Sequence, residues 1–323
     1  MSKNIIICCD GTGNEYGDRN TNVVGLYQSL IRDQDQIAFY DPGVGTFDIL
    51  GKTIGNKIGI MLGKGFGWGL QKNIEDAYMY LMNRYWPGDK VYLFGFSRGA
   101  FTVRCLAGML FKCGLLQKGS NNLIPYASKI YNTQNNENIA AGFKETYCHE
   151  CKVYFIGVWD TVASLGYFYG KKFFNAKLNG VVSYGYHAVA VDEKRKKFPV
   201  SLWDESRKEP GQTIEQVWFP GVHSDVGGSY PERGLSDGAL KWMLQKAIDA
   251  GMLIKPDWEK NINPDPKDIK AQHESRKNIW KLWPKVDRQI PENAKIHQST
   301  FDRIEANIGY APPNLPEKYS VIP

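Results

Sequence analysis

Residues 90–94, Lys-Val-Tyr-Leu-Phe, run directly into Gly95-Phe96-Ser97-Arg98-Gly99, and residues 100–111 then carry a helical apolar pattern. A strand that turns into a helix this sharply must leave the rim of a sheet and pack back on it. Small residues on both sides of a serine let the chain make that turn and expose the hydroxyl, the geometry of a nucleophile elbow. The alternative is an ordinary glycine turn, and the strand before and helix after it argue against that.

The same strand-then-polar-loop pattern recurs along the chain. Residues 4–9 are apolar and end in Asp10-Gly-Thr-Gly-Asn14; residues 153–159 end at Asp160-Thr161; residues 215–219 run into Pro220-Gly-Val-His223-Ser-Asp225-Val-Gly-Gly228. A short strand is expected at 37–40. Helices are expected at 23–32, capped by Asn20-Thr21, and at 71–85, 100–111, 184–191 and 237–250, with a polar helical stretch at 120–147. Strands alternating with helices predict an α/β fold, one mostly parallel sheet with helices on both faces. Pro, Lys, Asn and Asp rise after residue 255, with Trp258, Trp280 and Trp283 scattered among them. The expected organisation is a catalytic domain over 1–255 and an irregular extension over 256–323 packed on the same domain.

Composition narrows the function classes. A chain of 323 residues with 42% hydrophobic and 23% charged residues is neither disordered nor a disulfide miniprotein. Its net charge of +6 is mild, and no basic stripe points to nucleic acid. No apolar run approaches the roughly 18 residues of a membrane helix. The run at 5–9 is shorter than the roughly 7–15 residues of a signal-peptide core and ends in a charge, so synthesis in the cytosol without a signal peptide is expected. Four of the six cysteines fall in apolar runs and read as buried free thiols. Cys148-His-Glu-Cys151 has the spacing of half a zinc site, but no second pair matches it, so neither a metal nor a cofactor is expected.

Functional groups in an open parallel sheet collect beyond the carboxyl ends of its strands. Ser97, Asp160 and His223 all stand there, in the chain order serine, acid, histidine that this kind of turn accompanies. Serine needs a base, and the base needs a carboxylate to fix its tautomer. His223, in a glycine-flanked loop, is favoured as base over His187, which sits in a helical pattern and reads as a structural histidine. Asp10 and Asp225 are rival acids. An oxyanion needs backbone donors; the N–H of Arg98 supplies one, and the loop at Gly11 and Thr12 the other.

These motifs together resemble a known family. Cys9-Asp-Gly-Thr-Gly-Asn14, Gly95-Phe-Ser-Arg-Gly-Ala100, Val158-Trp-Asp-Thr-Val162, His187-Ala-Val-Ala-Val-Asp-Glu193 and Gly221-Val-His-Ser-Asp-Val-Gly-Gly228 occur in this order. They are similar to the α/β-hydrolase catalytic domain of type VI secretion phospholipase effectors, which also occurs in many uncharacterised bacterial and fungal proteins. The resemblance covers roughly residues 4–230. It implies an α/β-hydrolase fold and a serine esterase acting on phospholipid acyl chains, with Ser97, Asp160 and His223 as the matching triad and no cofactor. It leaves His187 open, because that motif matches too. It also implies an antibacterial effector secreted by a type VI-like route, with a secretion-apparatus or immunity partner. The longer effectors carry an additional membrane-anchoring region; this chain has only its short extension.

Strand-Asp-Gly-Thr is also the signature of aspartate-nucleophile phosphatases, but their first aspartate falls at Cys8 here, which leaves no nucleophile. A cytosolic esterase or thioesterase on small soluble substrates and a non-catalytic binding module are the alternatives. For lipid contact, Tyr167-Phe-Tyr-Gly-Lys-Lys-Phe-Phe174 places Lys171, Lys172, Phe173 and Phe174 after the Asp160 loop, a mixture suited to an anionic interface. Glycines at 51, 55, 59 and 63 would share one face of a helix, so 51–69 is either a closely packed helix or a mobile cover.

Overall fold

The computed structural model describes residues 2–11, 16–43, 58–162, 178–276, 284–306 and 309–323, with the backbone alone for 58–68. Strand β1 (Asn4–Cys9) is buried at every position. Ile5, Ile7 and Cys9 pack into one apolar cluster, and Ile6 and Cys8 into another on the opposite face. A strand covered on both faces is the mark of a parallel sheet sandwiched by helices. The chain then continues through α1 (Asn22–Ser29), β2 (Gln36–Asp41), α2 (Ile58–Arg84), β3 (Lys90–Phe96) and α3 (Arg98–Cys113). A small antiparallel pair, β4 (Leu115–Leu116) and β5 (Cys148–His149), brackets α4 (Ile124–Asn132) and α5 (Glu137–Tyr147). After it come β6 (Val153–Trp159), β7 (Val182–Ala190), β8 (Thr213–Phe219), α6 (His223–Gly227) and α7 (Gly234–Asp249). The last elements are β9 (Ala294–His297), α8 (Gln298–Glu305) and β10 (Tyr319–Ile322).

Eight strands form one sheet in the order β10-β9-β8-β7-β6-β3-β1-β2. Every pairing in it is parallel. Side chains of α2, α3, α4 and α5 cover one face, and those of α1 and α7 the other. The chain moves from β1 outward to β2, then returns to β3 on the other side of β1. The strand order therefore reverses between β1 and β3, the place where open sheets of this kind bind ligands outside the carboxyl ends of their strands. Ser97 follows β3 and Asp10 follows β1, so both stand at that switch point.

Two expectations are corrected. Residues 184–191 were expected to be helical, but 182–190 are β7, at the centre of the sheet. A strand buried on both faces reads as a nearly continuous apolar run, which periodicity alone does not separate from a buried helix. The extension after residue 255 is not irregular throughout. It contributes β9, α8 and β10, and its strands lengthen the sheet beyond β8. Ile290 and Ile296 pack there with Val189, Val191 and Trp218 in a third apolar cluster. Of the glycine-spaced segment 51–69, residues 58–69 are the start of α2 and 51–57 lie outside the described residues. Among the described residues, no helix is long and apolar enough to cross a membrane.

Candidate active site

Ser97 holds φ 57 and ψ −116 between β3 and α3. The two glycines around it are required by packing. A Cβ on Gly95 would lie 2.4 Å from the Gly99 carbonyl oxygen, and one on Gly99 would lie 2.0 Å from that of Cys9. The turn thus draws the N-terminus of α3 against the end of β1. The Ser97 N–H donates to the Trp159 carbonyl (3.1 Å), which ties the turn to the end of β6. Trp159 immediately precedes Asp160, itself a non-glycine residue at φ 40.

The three strand ends converge. His223 Nε2 is 2.8 Å from Ser97 Oγ, and His223 Nδ1 is 2.5 Å from Asp160 Oδ2. A carboxylate facing Nδ1 holds the ring proton there and leaves Nε2 to accept the serine proton. The imidazole packs against the rings of Phe96 (4.6 Å between centroids) and Phe198 (5.2 Å). Its backbone N–H donates to Glu193 Oε2 (3.2 Å). Gly221, at φ 100, lets β8 turn into α6, and its N–H donates to Asp192 Oδ2 (2.6 Å).

Asp160 is fully buried. Burial works to raise its carboxyl, but the charge of Arg288 and the hydrogen bond from His223 override it and hold the group well below the usual carboxylate range. Oδ1 accepts from the Ala190 N–H (3.0 Å) and from Arg288 Nη1 (2.5 Å), and Oδ2 also accepts from Arg288 Nη2 (2.9 Å). Sequence reasoning missed Arg288. It lies 128 residues from Asp160, in the extension, and belongs to no motif.

The other candidates fall elsewhere. His187 is fully buried in β7, accepts the Thr161 N–H at Nε2 (3.1 Å) and meets Gln216 Oε1 through Nδ1 (3.3 Å). Burial first, and then the charge of Arg104, push it down to about 3. It is a neutral imidazole that supports the residue after Asp160 rather than reaching Ser97. Asp225 caps α6 by accepting the Val222 N–H (2.9 Å) and pairs with His273 Nδ1 (2.7 Å) rather than with His223. Asp10, buried, accepts from Thr21 Oγ1 (2.5 Å) and the Tyr40 hydroxyl (3.0 Å). The Gly11 N–H, expected to face an oxyanion, instead donates to Asp10 Oδ1 (2.7 Å). Arg98 takes the first position of α3, where backbone N–H groups have no acceptor within the helix. Thr12, Lys171, Lys172, Phe173 and Phe174 lie outside the described residues. Cys148 and Cys151 are free thiols, and among the described residues no group of three or more His, Cys, Asp or Glu side chains is placed to hold a metal ion.

Comparison with known proteins gives relatives of several kinds. The uncharacterized protein YEL023C of Saccharomyces cerevisiae is 36% identical over 217 residues, a match covering 61% of this chain and 32% of the yeast protein. The crystal structure of an uncharacterized protein from Pseudomonas aeruginosa superposes with a TM-score of 0.49 at 18% identity, over 82% of this chain and 49% of that one. The Tle1 effector, in its complex with the VgrG spike of the type 6 secretion system, superposes with a TM-score of 0.40 at 19% identity, over 71% of this chain and 51% of that one. The match spans about a third of the yeast protein and about half of each solved chain. Residues 3–246 match the family described as T6SS, phospholipase effector Tle1-like, catalytic domain, and the chain belongs to that family.

Proposed function

We propose that this protein is a serine esterase that hydrolyses the acyl esters of phospholipids. The observation that carries the reading is the unbroken chain from Ser97 Oγ through His223 to Asp160, at 2.8 Å and 2.5 Å. The family supports the substrate class. Ser97 Oγ attacks the acyl carbonyl while His223 Nε2 takes its proton, and the ionised Asp160 stabilises the imidazolium that results. The first turn of α3, beginning at Arg98, presents backbone N–H groups and the positive end of the helix dipole toward the developing oxyanion. Collapse of the tetrahedral intermediate breaks the ester C–O bond. The leaving alkoxide takes the proton from His223, and the lysophospholipid departs. Water, deprotonated by His223, then cleaves the acyl-serine and releases the fatty acid.

Contact with an anionic lipid surface through Lys171, Lys172, Phe173 and Phe174 is part of this proposal and rests on their sequence alone. Delivery by a type VI apparatus, and antibacterial action with an immunity partner, are proposed from the family description. The test compares labelled phospholipid vesicles with a soluble short-chain ester, each with wild type and Ser97→Ala. We expect both hydrolyses to vanish in the folded variant, and a fluorophosphonate probe to label only the wild type. Labelling that persists without the serine hydroxyl would refute the nucleophile. Hydrolysis of the soluble ester with none of vesicle lipid would favour a soluble-substrate esterase.

A further inference from the structure

Arg288 lies beyond the residues that match the family, yet it makes the most extensive polar contact with the carboxylate of the site. Its guanidinium meets both Asp160 oxygens in a parallel fork, at 2.5 Å and 2.9 Å. The same two nitrogens donate to the Ala190 carbonyl (2.9 Å) and the Phe198 carbonyl (3.2 Å). Phe198 is the residue whose ring packs edge-on against His223. One buried side chain therefore ties the acid, the end of β7 and the wall beside the base into one unit.

The extension reaches the base from a second direction. Ser275 Oγ donates to Glu193 Oε1 (2.9 Å), and Glu193 Oε2 accepts the His223 N–H. His273 pairs with Asp225, two residues beyond His223. Arg288, Ser275 and His273 all lie outside residues 3–246, and their partners Asp160, Glu193 and Asp225 lie inside.

We propose that Arg288 is a positioning residue for the hydrolysis: its planar fork fixes the rotamer and the ionised state of Asp160, and through Asp160 the orientation of His223. The assignment rests on the serine reading above. A planar guanidinium suits the task because it bonds both carboxylate oxygens in one plane and leaves them a single orientation. Without it, a fully buried carboxylate would keep, among the described residues, the Ala190 N–H and His223 as partners, and burial would favour its protonated form. A protonated or rotated Asp160 no longer holds the imidazole proton on Nδ1.

Two effects separate positioning from plain support of the fold. Misplacing the imidazole slows the chemical step without weakening substrate binding. Removing a cation beside the Asp160–His223 pair also makes it easier for that pair to take up a proton, so the acidic limb of the rate profile moves to higher pH. A residue that only holds the fold together lowers the number of active molecules and leaves the limb in place.

The experiment uses the full chain as wild type, Arg288→Lys and Arg288→Met, with a soluble short-chain ester. Active sites are titrated with fluorophosphonate so that misfolded molecules drop out of kcat. For Arg288→Met we expect kcat to fall by about 10²-fold, as an ångström of misplacement does, with KM little changed and the acidic limb shifted upward. Arg288→Lys should recover part of the rate. In an Asp160→Asn background, Arg288→Met should cost far less, because the charge it positions is gone. A change in KM alone, or an equal loss in the Asp160→Asn background, would overturn the assignment. If the methionine variant does not fold, the lysine variant decides: an unchanged kcat and an unmoved limb overturn it. Hydrolysis that survives Ser97→Ala condemns the serine reading; Ser97-dependent hydrolysis indifferent to Arg288 condemns this assignment alone.

Discussion

Ser97 sits at φ 57 and ψ −116, a backbone region where a residue with a Cβ is under strain. That strain costs roughly 1–3 kcal/mol, and the turn keeps it because it lifts the hydroxyl to His223. Glycine carries no such penalty but leaves a freer unfolded chain, so the two effects partly cancel. Ser97→Gly is therefore expected to gain about 0.5–1 kcal/mol against urea while losing all ester hydrolysis. A variant less stable than wild type would show that the turn is not strained. At this scale much of the site was legible. Ser97, Asp160 and His223 announce themselves as polar groups at the ends of apolar runs, in the chain order that accompanies this kind of turn. Arg288 did not. An arginine in a stretch rich in proline and lysine has no period and no motif, and its partner is 128 residues away. The orientation of the Gly11 N–H was equally hidden, since it depends on the rotamer of Asp10.

Among elements, β1, β3, β6 and β8 could be read from their apolar runs, whereas β7, β9 and β10 could not. From Tyr184 onward the residues of β7 alternate as a strand should: Tyr184, Tyr186, Ala188 and Ala190 face one cluster and Val189 another. Burial of both faces erases the polar half of that alternation. The strands β9 and β10 are four residues each, too short for any pattern to show. His187 makes β7 more than a spacer, because its ring joins the Thr161 N–H after β6 to Gln216 on β8. Its folded value, about 3, lies below the free value of 6.5. Its stabilising contribution is thus present above about pH 6.5 and is lost as pH falls toward its folded value, because the unfolded chain takes the proton first. His187→Gln should cost about 1–2 kcal/mol at neutral pH through poorer hydrogen bonding. It should then lose stability less steeply on acidification, and keep ester hydrolysis within roughly tenfold, far from the loss that removing a triad base brings. Urea midpoints across pH, with rates on the soluble ester, check this. Parallel stability curves would remove His187 as the acid-sensitive group, and a dead enzyme would overturn its purely structural role.

At the scale of the whole molecule, the question is whether residues 256–323 are an appendage or part of the unit. They supply two strands that cover the edge of β8, the apolar residues Ile290 and Ile296 against Val189, Val191 and Trp218, and the guanidinium that balances a fully buried carboxylate. Leaving one member of a buried ion pair without its partner typically costs about 3–5 kcal/mol. The whole stability of a domain is about 5–15 kcal/mol, so that loss together with an exposed apolar cluster and an open strand edge would consume most of it. A chain ending at residue 255 is therefore expected to be insoluble or to melt without cooperativity. Supplying 256–323 as a separate chain during expression should restore a soluble enzyme, because the missing contacts are noncovalent. Supplying the same fragment with Arg288→Met should restore solubility further than it restores the rate, since apolar burial returns and the clamp on Asp160 does not. Solubility, the thermal melt and ester hydrolysis of the three preparations are the measurements. A chain of residues 1–255 that melts cooperatively and hydrolyses ester at the full-length rate would make the extension dispensable and place everything Asp160 needs within the first 255 residues.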